Sequence, residues 1–189
     1  WSIPVCVRWG AGAATGRACT VLSAATGELA LPAPRCPDWV LPNDGELGYY
    51  RMQPDAPLLA KLLAAAPRAL TLPERVGLLG DVEAMVDAGQ LGAGRALALV
   101  GALARDPDPH LVDASIGIVA GIDELVPDAQ RPAYERYVRS LYGARAHELG
   151  WRSKPGESDD VKELRPTLLG LVAGVGRDPA LIKEATAAA

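Results

Sequence analysis

The sequence predicts a mainly α-helical protein with a small all-β part at its N-terminal end. Short runs of alternating apolar and polar residues occupy the first 54 positions, and four prolines between residues 32 and 42 exclude helix there. From residue 55 onward the apolar residues recur every three or four positions, which is the period of a helix. We therefore expect two domains, residues 1–54 and residues 55–189.

The β part is predicted to contain five short strands. The apolar side chains of the first strand alternate with their neighbours, as expected when one face is buried; they are Ile3, Val5, Val7 and Trp9. Turns rich in proline and glycine separate the later strands. These are Ala18–Leu22, Glu28–Leu31, Trp39–Leu41 and Tyr49–Gln53.

A loop rich in glycine and alanine separates the first two strands. Gly10, Gly12 and Gly16 invite comparison with a dinucleotide-binding loop, which also follows a strand. Their spacing departs from Gly-x-Gly-x-x-Gly, and the residues that follow are typical of a strand rather than a helix. We interpret the loop as a β-hairpin turn.

The second part is predicted to contain six helices, which begin near residues 72, 93, 109, 131, 160 and 179. Thr71 and Glu74 form a capping box around Pro73. Asp159 or Asp160 is expected to cap the fifth helix.

The position of Pro166 and the pattern of apolar residues add detail to the predicted helices. Pro166 is expected either to kink the fifth helix or to restrict it to a start near residue 165. The predicted face of the first helix comprises Leu72, Val76, Leu79 and Val86. That of the third comprises Leu111, Ser115, Ile118, Ile122 and Leu125, and that of the fourth Tyr134, Tyr137, Val138 and Leu141.

The spacing of the helices predicts their arrangement. Alternate helix starts lie roughly 37 to 50 residues apart, near the length of two-helix solenoid repeats, although the repeats share no sequence similarity. We expect an α-helical solenoid of antiparallel helix pairs, of the HEAT or armadillo kind.

The composition of the chain argues against two kinds of partner, nucleic acids and membranes. The chain is 49% hydrophobic and 22% charged, with a net charge of −4, so we expect no nucleic-acid partner. No apolar stretch reaches the roughly 18 residues that cross a bilayer, and we expect no membrane partner. We predict a cytoplasmic protein. The four lysines among 19 basic residues suggest a GC-rich, bacterial genome.

Three cysteines, Cys6, Cys19 and Cys36, form neither a disulfide framework nor a zinc-ligand spacing. Cys6 and Cys19 could approach one another across a hairpin, but free buried thiols in a reducing compartment are favoured. The chain begins at Trp1, already within a predicted strand, and we expect a piece of a longer protein.

His147 and Glu148 begin the His-Glu-x-x-His pattern of zinc peptidases, but Trp151 stands where the second histidine is required. His110, the other histidine, lies at a predicted helix start. We therefore interpret both histidines as structural.

Two further groups of charged residues are also interpreted as structural. The carboxylates cluster at helix ends, where capping accounts for them; they are Asp123, Glu124, Glu157, Asp159 and Asp160. The arginines are interpreted as a solvated face; they are Arg131, Arg136, Arg139, Arg145 and Arg152. We predict no catalytic, cofactor-binding or metal-binding residue in this chain.

Several phrases, in order along the chain, resemble the aminopeptidase N type of zinc aminopeptidases. The first are Trp1-Ser2-Ile3-Pro4-Val5, Trp39 followed by Pro42-Asn43, and Gly48-Tyr49-Tyr50-Arg51, which are similar to phrases of that family's β-sandwich domain. The rest are similar to its helical C-terminal domain: Leu72-Pro73-Glu74-Arg75, Leu78-Leu79-Gly80-Asp81, Leu149-Gly150-Trp151, Gly156-Glu157-Ser158 and Leu164-Arg165.

The resemblance implies a partial β-sandwich followed by a solenoid that walls the substrate chamber of a zinc aminopeptidase and controls access to it. The motifs that bind zinc and the substrate amine lie upstream in that family, so this segment would be non-catalytic, with zinc elsewhere in the parent. Its partners would be the upstream catalytic domain and a peptide substrate. A solenoid that is cut at its end leaves exposed truncation surfaces, which could pair two copies; we expect the last helix to be poorly ordered or packed on a neighbour.

Alternatives remain. A stand-alone helical-repeat scaffold that binds a protein partner would also present a solenoid surface, but it would not need the strand phrases. A free-standing enzyme is disfavoured by the missing site. We expect Tyr49 and Tyr50 to pack at the domain junction, one buried and one nearer the surface, while Arg51 pairs locally. Trp39 and Trp151 are expected in the core or at the junction.

Overall fold

The computed structural model describes residues 1–188, with every side chain except those of Ala102 and Ala188. It is mainly helical, with a small antiparallel sheet near the N-terminus, as the sequence predicts. The chain forms two compact units, unit 1 from Trp1 to Ala84 and unit 2 from Met85 to Ala189. The predicted domain boundary after residue 54 stays a prediction.

The sheet of unit 1 is built on a long β-hairpin. Strands β1 (Ile3–Ala11) and β2 (Ala14–Leu22) pair antiparallel, and Gly12 turns the chain with a φ of 64°. The short strand β3 (Trp39–Leu41) pairs with the other edge of β1, which gives the order β2-β1-β3. The hairpin interpretation of the glycine-rich loop is confirmed.

Two of these glycines have a steric reason. A Cβ at Gly16 would overlap the ring of Trp9, and a Cβ at Gly10 would overlap the ring of Trp39. Both positions therefore accommodate a neighbouring indole, and Trp9 is buried.

Two predicted strands are absent from the described residues. Glu28–Leu31 and Tyr49–Gln53 have no strand pairing. In the first, the Ala33 N–H donates to the Leu31 carbonyl oxygen at 2.8 Å, which makes a tight turn where Pro32 cannot donate. In the second, bends at 48–50 turn the chain back toward the end of β3.

The prediction of free, buried cysteines is wrong. Cys6 and Cys19 are directly opposite in the β1–β2 register, with 4.1 Å between their Cα atoms, and they form a disulfide. Cys36 is free but exposed. The alternative approach of Cys6 and Cys19 across a hairpin is therefore the correct one.

Two helices follow the sheet in unit 1, and the second extends three residues past Ala84, the last residue of the unit. Helix α1 (Ala56–Ala69), for which no start was predicted, begins where the Asp55 side chain accepts from the Leu58 N–H at 2.8 Å. Helix α2 (Leu72–Asp87) begins at the predicted position.

The predicted apolar face of α2 is only partly correct. Leu79 is buried, but Leu72, Val76 and Val86 are half-buried. The other buried side chains of this helix are Glu74, Leu78, Asp81, Val82 and Met85. The prediction considered apolar residues alone. It therefore misplaced the buried face of α2, which includes the carboxylates Glu74 and Asp81.

Unit 2 contains the remaining helices. They are α3 (Ala93–Leu103), α4 (Pro109–Ile122), α5 (Arg131–Leu149), α6 (Asp159–Gly170) and α7 (Pro179–Ala188). Their starts match the predicted ones, and Asp108 caps α4 by accepting from the His110 N–H at 2.9 Å. The predicted helix to the end of the chain includes Ala189, which lies outside the described residues.

The core of unit 2 is apolar and centres on α4, which lies against α3 and α6. The predicted faces of α4 and α5 are confirmed except at two positions. Leu125 is exposed, because it lies in a 3₁₀ turn beyond the end of α4, and Tyr137 is half-buried. Ser115 is buried within the α4 face; its hydroxyl donates to the Val112 carbonyl oxygen at 2.6 Å and lies 2.8 Å from the Tyr142 hydroxyl.

Helix α6 begins near the predicted residue 160, but its capping residue differs from the predicted ones. Its cap is Ser158, whose hydroxyl accepts from the Val161 N–H at 3.4 Å, and neither Asp159 nor Asp160 caps it. The helix continues through Pro166, so the predicted start near residue 165 is wrong. A π-helical turn, Leu171–Val175, follows directly.

No helix within residues 1–188 combines the length and apolar character that a membrane crossing requires.

Candidate functional site

A short loop after strand β3, residues 43–51, is held together by the buried side chain of Asn43. The Asn43 amide nitrogen donates to the Gly48 carbonyl oxygen at 3.1 Å and to Glu46 Oε2 at 3.2 Å. The Gly48 N–H donates in return to Asn43 Oδ1 at 2.8 Å. We call residues 43–51 the acidic loop. Its conformation is thus fixed by one side chain that acts as donor and acceptor.

Glu74, only 1% exposed, joins the acidic loop to the start of α2. Its carboxylate accepts from the Thr71 N–H at 2.8 Å, as the capping box predicts, and from the Gly45 N–H at 2.9 Å. It also pairs with Arg8. Burial opposes the ionisation of Glu74, but these N–H groups and Arg8 outweigh it and hold the pKa of that carboxyl below its usual range.

Arg8 of strand β1 is the cation of this network. It forms an ion pair with Asp44 at 2.9 Å and donates to the Ala69 carbonyl oxygen at 3.0 Å. Its guanidinium lies over the Trp39 ring, 5.6 Å from the ring centroid. Trp39 is half-buried and packs within unit 1, in keeping with a structural role.

Glu46 is the one carboxyl of the acidic loop that is poorly compensated. Its backbone is left-handed, with a φ of 55°, and its carboxyl lies against α2 where Gly77 leaves room; a Cβ there would overlap the carboxyl carbon. Oε1 is buried and has no hydrogen-bond partner among the described residues. Burial, then the nearby Asp81 and Glu74 carboxylates, raise the pKa of Glu46 to about 7.

Asp81 lies two turns after Glu74 on the same face of α2 and is 3% exposed. Burial raises the pKa of Asp81, although the Met52 N–H and Arg51 act in the opposite direction. Arg51 lies 3.7 Å from the Asp81 carboxylate, and the Arg51 side chain is largely exposed. The expected local pairing of Arg51 is therefore made with α2.

An open cleft of about 420 Å³ lies beside these carboxyls. It is lined by Glu46, Gly48, Tyr49, Tyr50, Arg51 and Asp81. Tyr49 is fully exposed, whereas Tyr50 is half-buried and its hydroxyl donates to the Pro42 carbonyl oxygen at 2.8 Å. Tyr50 is the less exposed of the two but is not buried as predicted, and the full exposure of Tyr49 contradicts the expectation that it packs at the domain junction.

The chemistry available in this cleft is proton exchange and hydrogen bonding. A carboxyl whose pKa lies near 7 can release and regain a proton at neutral pH. Residues 1–188 contain no group of three or more His, Cys, Asp or Glu side chains placed to hold a metal ion. The cleft therefore offers a carboxyl that can exchange a proton.

The two histidines are held by carboxylates in unit 2. His147 Nε2 lies 3.1 Å from Asp178 Oδ2, and His110 Nδ1 lies 3.2 Å from Asp108 Oδ1. Asp178 also accepts from the Ala180 and Leu181 N–H groups, both at 3.1 Å, and so caps α7. These contacts accord with the structural interpretation of both histidines.

The carboxylates at helix ends have partners other than the predicted ones. Glu157 pairs with Arg165, which is 5% exposed and donates to the Leu149 and Gly150 carbonyl oxygens at 2.5 and 2.6 Å. Asp123 pairs with Arg131. The capping interpretation of Glu157 and Asp123 is therefore replaced by ion pairing with arginines.

The interpretation of the arginines as a solvated face is also corrected in part. Arg145 donates to the Asp106 and Pro107 carbonyl oxygens, at 2.8 and 2.9 Å, and Arg139 donates to the Gly176 carbonyl oxygen. These side chains satisfy carbonyl groups at or beyond helix ends, where intrahelical partners are lacking.

Arg136 and Arg152 are exposed, as the solvated-face interpretation requires. Trp151, which was expected in the core or at a junction, is 37% exposed, and its indole N–H donates to the Leu181 carbonyl oxygen at 3.1 Å.

Sequence reasoning missed Glu46 and Asp81 as members of one cluster. They are 35 positions apart, and only the structure brings them together. One signal was available: Asp81 is seven positions after Glu74, which places both carboxylates on one helical face.

Comparisons with known proteins identify the family. The model of the ERAP1-like C-terminal domain matches residues 39–189. Puromycin-sensitive aminopeptidase of Caenorhabditis elegans is 24% identical over 189 residues, covering 97% of this chain and 20% of the relative. Aminopeptidase M1-A and aminopeptidase M1-C of Oryza sativa subsp. japonica are 28% and 27% identical, covering 78% and 74% of this chain and 17% and 16% of the relatives. The chain thus spans a fifth or less of these relatives, and it belongs to the family of ERAP1-like C-terminal domains.

Proposed function

We propose that this chain is the non-catalytic C-terminal segment of a zinc metallo-aminopeptidase that removes N-terminal residues from peptides. The observation that carries the proposal is the family match over residues 39–189, together with relatives that are aminopeptidases. Since the chain spans a fifth or less of those relatives, the parent would bind its peptide substrate mainly through other domains, and the upstream catalytic domain would be the principal partner.

The proposed role of the segment is to wall the substrate chamber and control access to it. In this proposal residues 1–54 belong to a partial β-sandwich and residues 55–189 to an α-helical solenoid. Two features support it. Helix α4 lies against both α3 and α6, as in stacked helix pairs, and such stacks form concave surfaces that can enclose a ligand. Closure over a catalytic site also excludes water from the reaction.

The zinc of the parent would be bound outside this segment. His147 is engaged by Asp178, and His110 lies at the exposed start of α4 beside Asp108. A catalytic zinc needs three protein ligands around one open position, and the described residues do not supply such a set. The residues present therefore do not fit a zinc ion, and no catalytic step is assigned to them.

The remaining partners follow from charge and from the family. The net charge of −4 is unfavourable for nucleic-acid binding. We propose a cytoplasmic, bacterial parent. Two copies of the segment could pair through exposed truncation surfaces, which size-exclusion chromatography at several concentrations would detect.

The size of the native protein tests the proposal. An antibody raised against residues 1–189 is used to blot the source cell, and the detected protein is purified and assayed with a fluorogenic amino-acid amide. A protein several times longer than 189 residues, with aminopeptidase activity that a chelator removes and zinc restores, is expected. A native protein of about 189 residues would contradict it and would favour a stand-alone scaffold that binds a protein partner.

A substrate-length series tests the chamber role separately. With the purified parent, kcat/KM is measured for peptides of increasing length that share the same N-terminal residues, and for a folded protein with that N-terminus. A wall around the active site predicts that activity falls sharply beyond some length and is lost for the folded protein. Equal kcat/KM for short peptides and for the folded protein would contradict the chamber role while leaving the aminopeptidase assignment intact.

A further inference from the structure

The Glu46 carboxyl lies against helix α2 at a position where no cation forms an ion pair with it among the described residues. The backbone of Glu46 is left-handed, with a φ of 55°, and it directly follows Gly45, which is left-handed as well. This pair of residues turns the Glu46 side chain onto α2, where Gly77 lacks the Cβ that would collide with it. A left-handed backbone at a residue other than glycine costs free energy, so the surrounding contacts must hold it.

The charged and titratable groups around Glu46 come from two elements. Helix α2 contributes the carboxylates of Glu74 and Asp81. The acidic loop contributes Arg51, the amide of Asn43 and the Tyr50 hydroxyl. Around the Glu46 carboxyl, the two carboxylates of Glu74 and Asp81 therefore outnumber the one guanidinium, that of Arg51.

The nearby donors are only partly available to Glu46. Arg8 already pairs with Asp44 and Glu74, and Arg51 lies beside Asp81 with its side chain largely exposed. The Asn43 amide reaches Glu46 Oε2 at 3.2 Å, while Oε1 is buried without a partner among residues 1–188. A buried carboxylate oxygen without a donor is costly, whereas a protonated carboxyl needs less compensation.

We propose that Glu46 carries a proton in the folded protein below neutral pH, and that losing this proton as the pH rises through neutrality loosens the acidic loop from helix α2, which makes the loop a pH-sensitive switch. The proton passes to solvent, and the carboxylate that remains is the third negative charge beside Glu74 and Asp81. The Glu74 and Asp81 carboxylates repel this charge, and it lacks the water molecules that would solvate it at the surface. Both effects favour conformations in which the Glu46 side chain moves away from helix α2 into solvent. The pKa of Glu46, raised to about 7 chiefly by burial, accords with this geometry.

The loop that would move presents two large side chains to solvent. Leu47 and Tyr49 are both exposed, and their positions depend on the hydrogen bonds between Asn43 and Gly48. Loosening Glu46 would therefore change how these side chains are presented. The switch is independent of the proposed function, because it concerns the acidic loop and α2 alone.

A titration of the unmodified 189-residue chain tests the proposal directly. Glutamate side chains are labelled with ¹³C and followed by NMR between pH 4 and pH 9, together with the backbone amides of Gly45 and Gly48. The expected result is a Glu46 midpoint near pH 7, with both amides shifting at the same midpoint. A Glu46 midpoint near that of an ordinary glutamate, or Gly45 and Gly48 amides that do not follow Glu46, would overturn the proposal.

Thermal unfolding provides a second readout. The folded-state pKa of Glu46 is raised above its unfolded value, so the unmodified protein loses stability as pH rises from about 4.5 through about 7. Within this window the unfolding constant should rise by up to about tenfold per pH unit, less where the carboxyl stays in contact with solvent. Glu46→Gln keeps the shape of the neutral acid and should remove most of this slope.

Glu28→Gln is the matched control, since Glu28 is an exposed glutamate of the same unit. It should keep the slope of the unmodified protein. A Glu46→Gln profile parallel to that of Glu28→Gln would also overturn the proposal. If Glu46→Gln does not fold, the NMR titration of the unmodified protein decides alone.

Discussion

The two units use buried charge in different ways. In unit 1, the acidic loop and α2 place several carboxyls close together, and Glu46 is left with an unmatched oxygen. In unit 2, the buried cation Arg165 has three acceptors, which are the Leu149 and Gly150 carbonyl oxygens and the Glu157 carboxylate, and only its Nε is buried without a partner among the described residues. The contacts of Arg165 therefore do not depend on a proton that is exchanged near neutral pH, whereas the packing of Glu46 in unit 1 depends on the protonation of its carboxyl.

The difference follows from what each charge compensates. Helix ends leave carbonyl groups without intrahelical partners, and an arginine fork can satisfy two of them at once. The carboxyls of unit 1 instead accept from backbone N–H groups and from arginines such as Arg8, and one oxygen, Glu46 Oε1, is buried without a donor among the described residues. The comparison predicts that substitutions in the two units differ in size and in pH dependence.

The largest effect is expected at Arg165. Arg165→Ala removes a buried side chain and leaves Glu157 and two carbonyl oxygens, all half-buried, without their donor, which should lower the free energy of unfolding by about 3 kcal/mol. Arg152→Ala, which removes an exposed arginine, should change it by less than about 0.5 kcal/mol. Urea unfolding followed by circular dichroism measures both. A loss below about 1 kcal/mol for Arg165→Ala would show that the arginine is replaceable by water.

The next effect concerns the disulfide of the β-hairpin. Replacing Cys6 and Cys19 together by serine removes a link between residues 13 positions apart, and we expect a loss of about 2 to 3 kcal/mol. Cys36→Ser, at an exposed free cysteine, should have little effect. A thiol assay on the native protein should find one reactive thiol per chain, and three after reduction and unfolding. Three reactive thiols in the oxidised, native protein would contradict the Cys6–Cys19 bond.

The disulfide also shows where prediction from sequence ends. The starts of six helices were predictable because their signals are local: a cap, a proline in the first turn and an apolar stripe. The Cys6–Cys19 pairing depends on the register of two strands, and register is fixed by the turn that joins them. Helix α1 was missed because Pro57 and Pro67 obscure it, although the first lies in the opening turn and the second in the last.

The acidic loop was not predictable for a different reason. Glu46 and Asp81 belong to segments that the sequence separates, and each taken alone is an ordinary acidic residue. Asn43 gave no signal that its side chain would make three hydrogen bonds. The periodicity of apolar residues predicts which face of a helix or strand is buried. It gives no information on a cluster of carboxyls such as Glu46 and Asp81, which the acidic loop brings together.

Glu74 offers a sharper test of the comparison within unit 1. Glu74→Gln removes the charge that pairs with Arg8 while keeping the size of the side chain, and we expect a loss of about 2 kcal/mol. Because one neighbouring negative charge is gone, the same substitution should lower the pKa of Glu46. Glu83→Gln, on the same helix, is the control and should do neither. An unchanged Glu46 titration in Glu74→Gln would mean that the Glu74 charge does not contribute to the pKa of Glu46 and that burial and Asp81 account for it.

The smallest effect is expected at Asp178, and it has the opposite pH dependence to Glu46. Burial opposes the ionisation of Asp178, but the Leu181 N–H, His147 and the Ala180 N–H outweigh it and hold its pKa below the usual range. A lowered folded-state pKa contributes stability that is present above the unfolded value and is lost as pH falls through the folded value. Asp178→Asn keeps an acceptor for α7 and should flatten the acid side of the stability profile, whereas Asp178→Ala should also lose about 1 kcal/mol at pH 7.

Melting temperatures of both variants and of the unmodified protein between pH 2.5 and pH 8 measure this effect. We expect Asp178 to cause the change of melting temperature at acidic pH and Glu46 to cause the change near neutral pH. Asp178→Asn should then flatten only the acidic part of the plot of melting temperature against pH, Glu46→Gln only the neutral part, and the double variant both parts. A profile that either variant flattens throughout would mean that the two carboxyls are coupled, and the contrast between the two units would not hold.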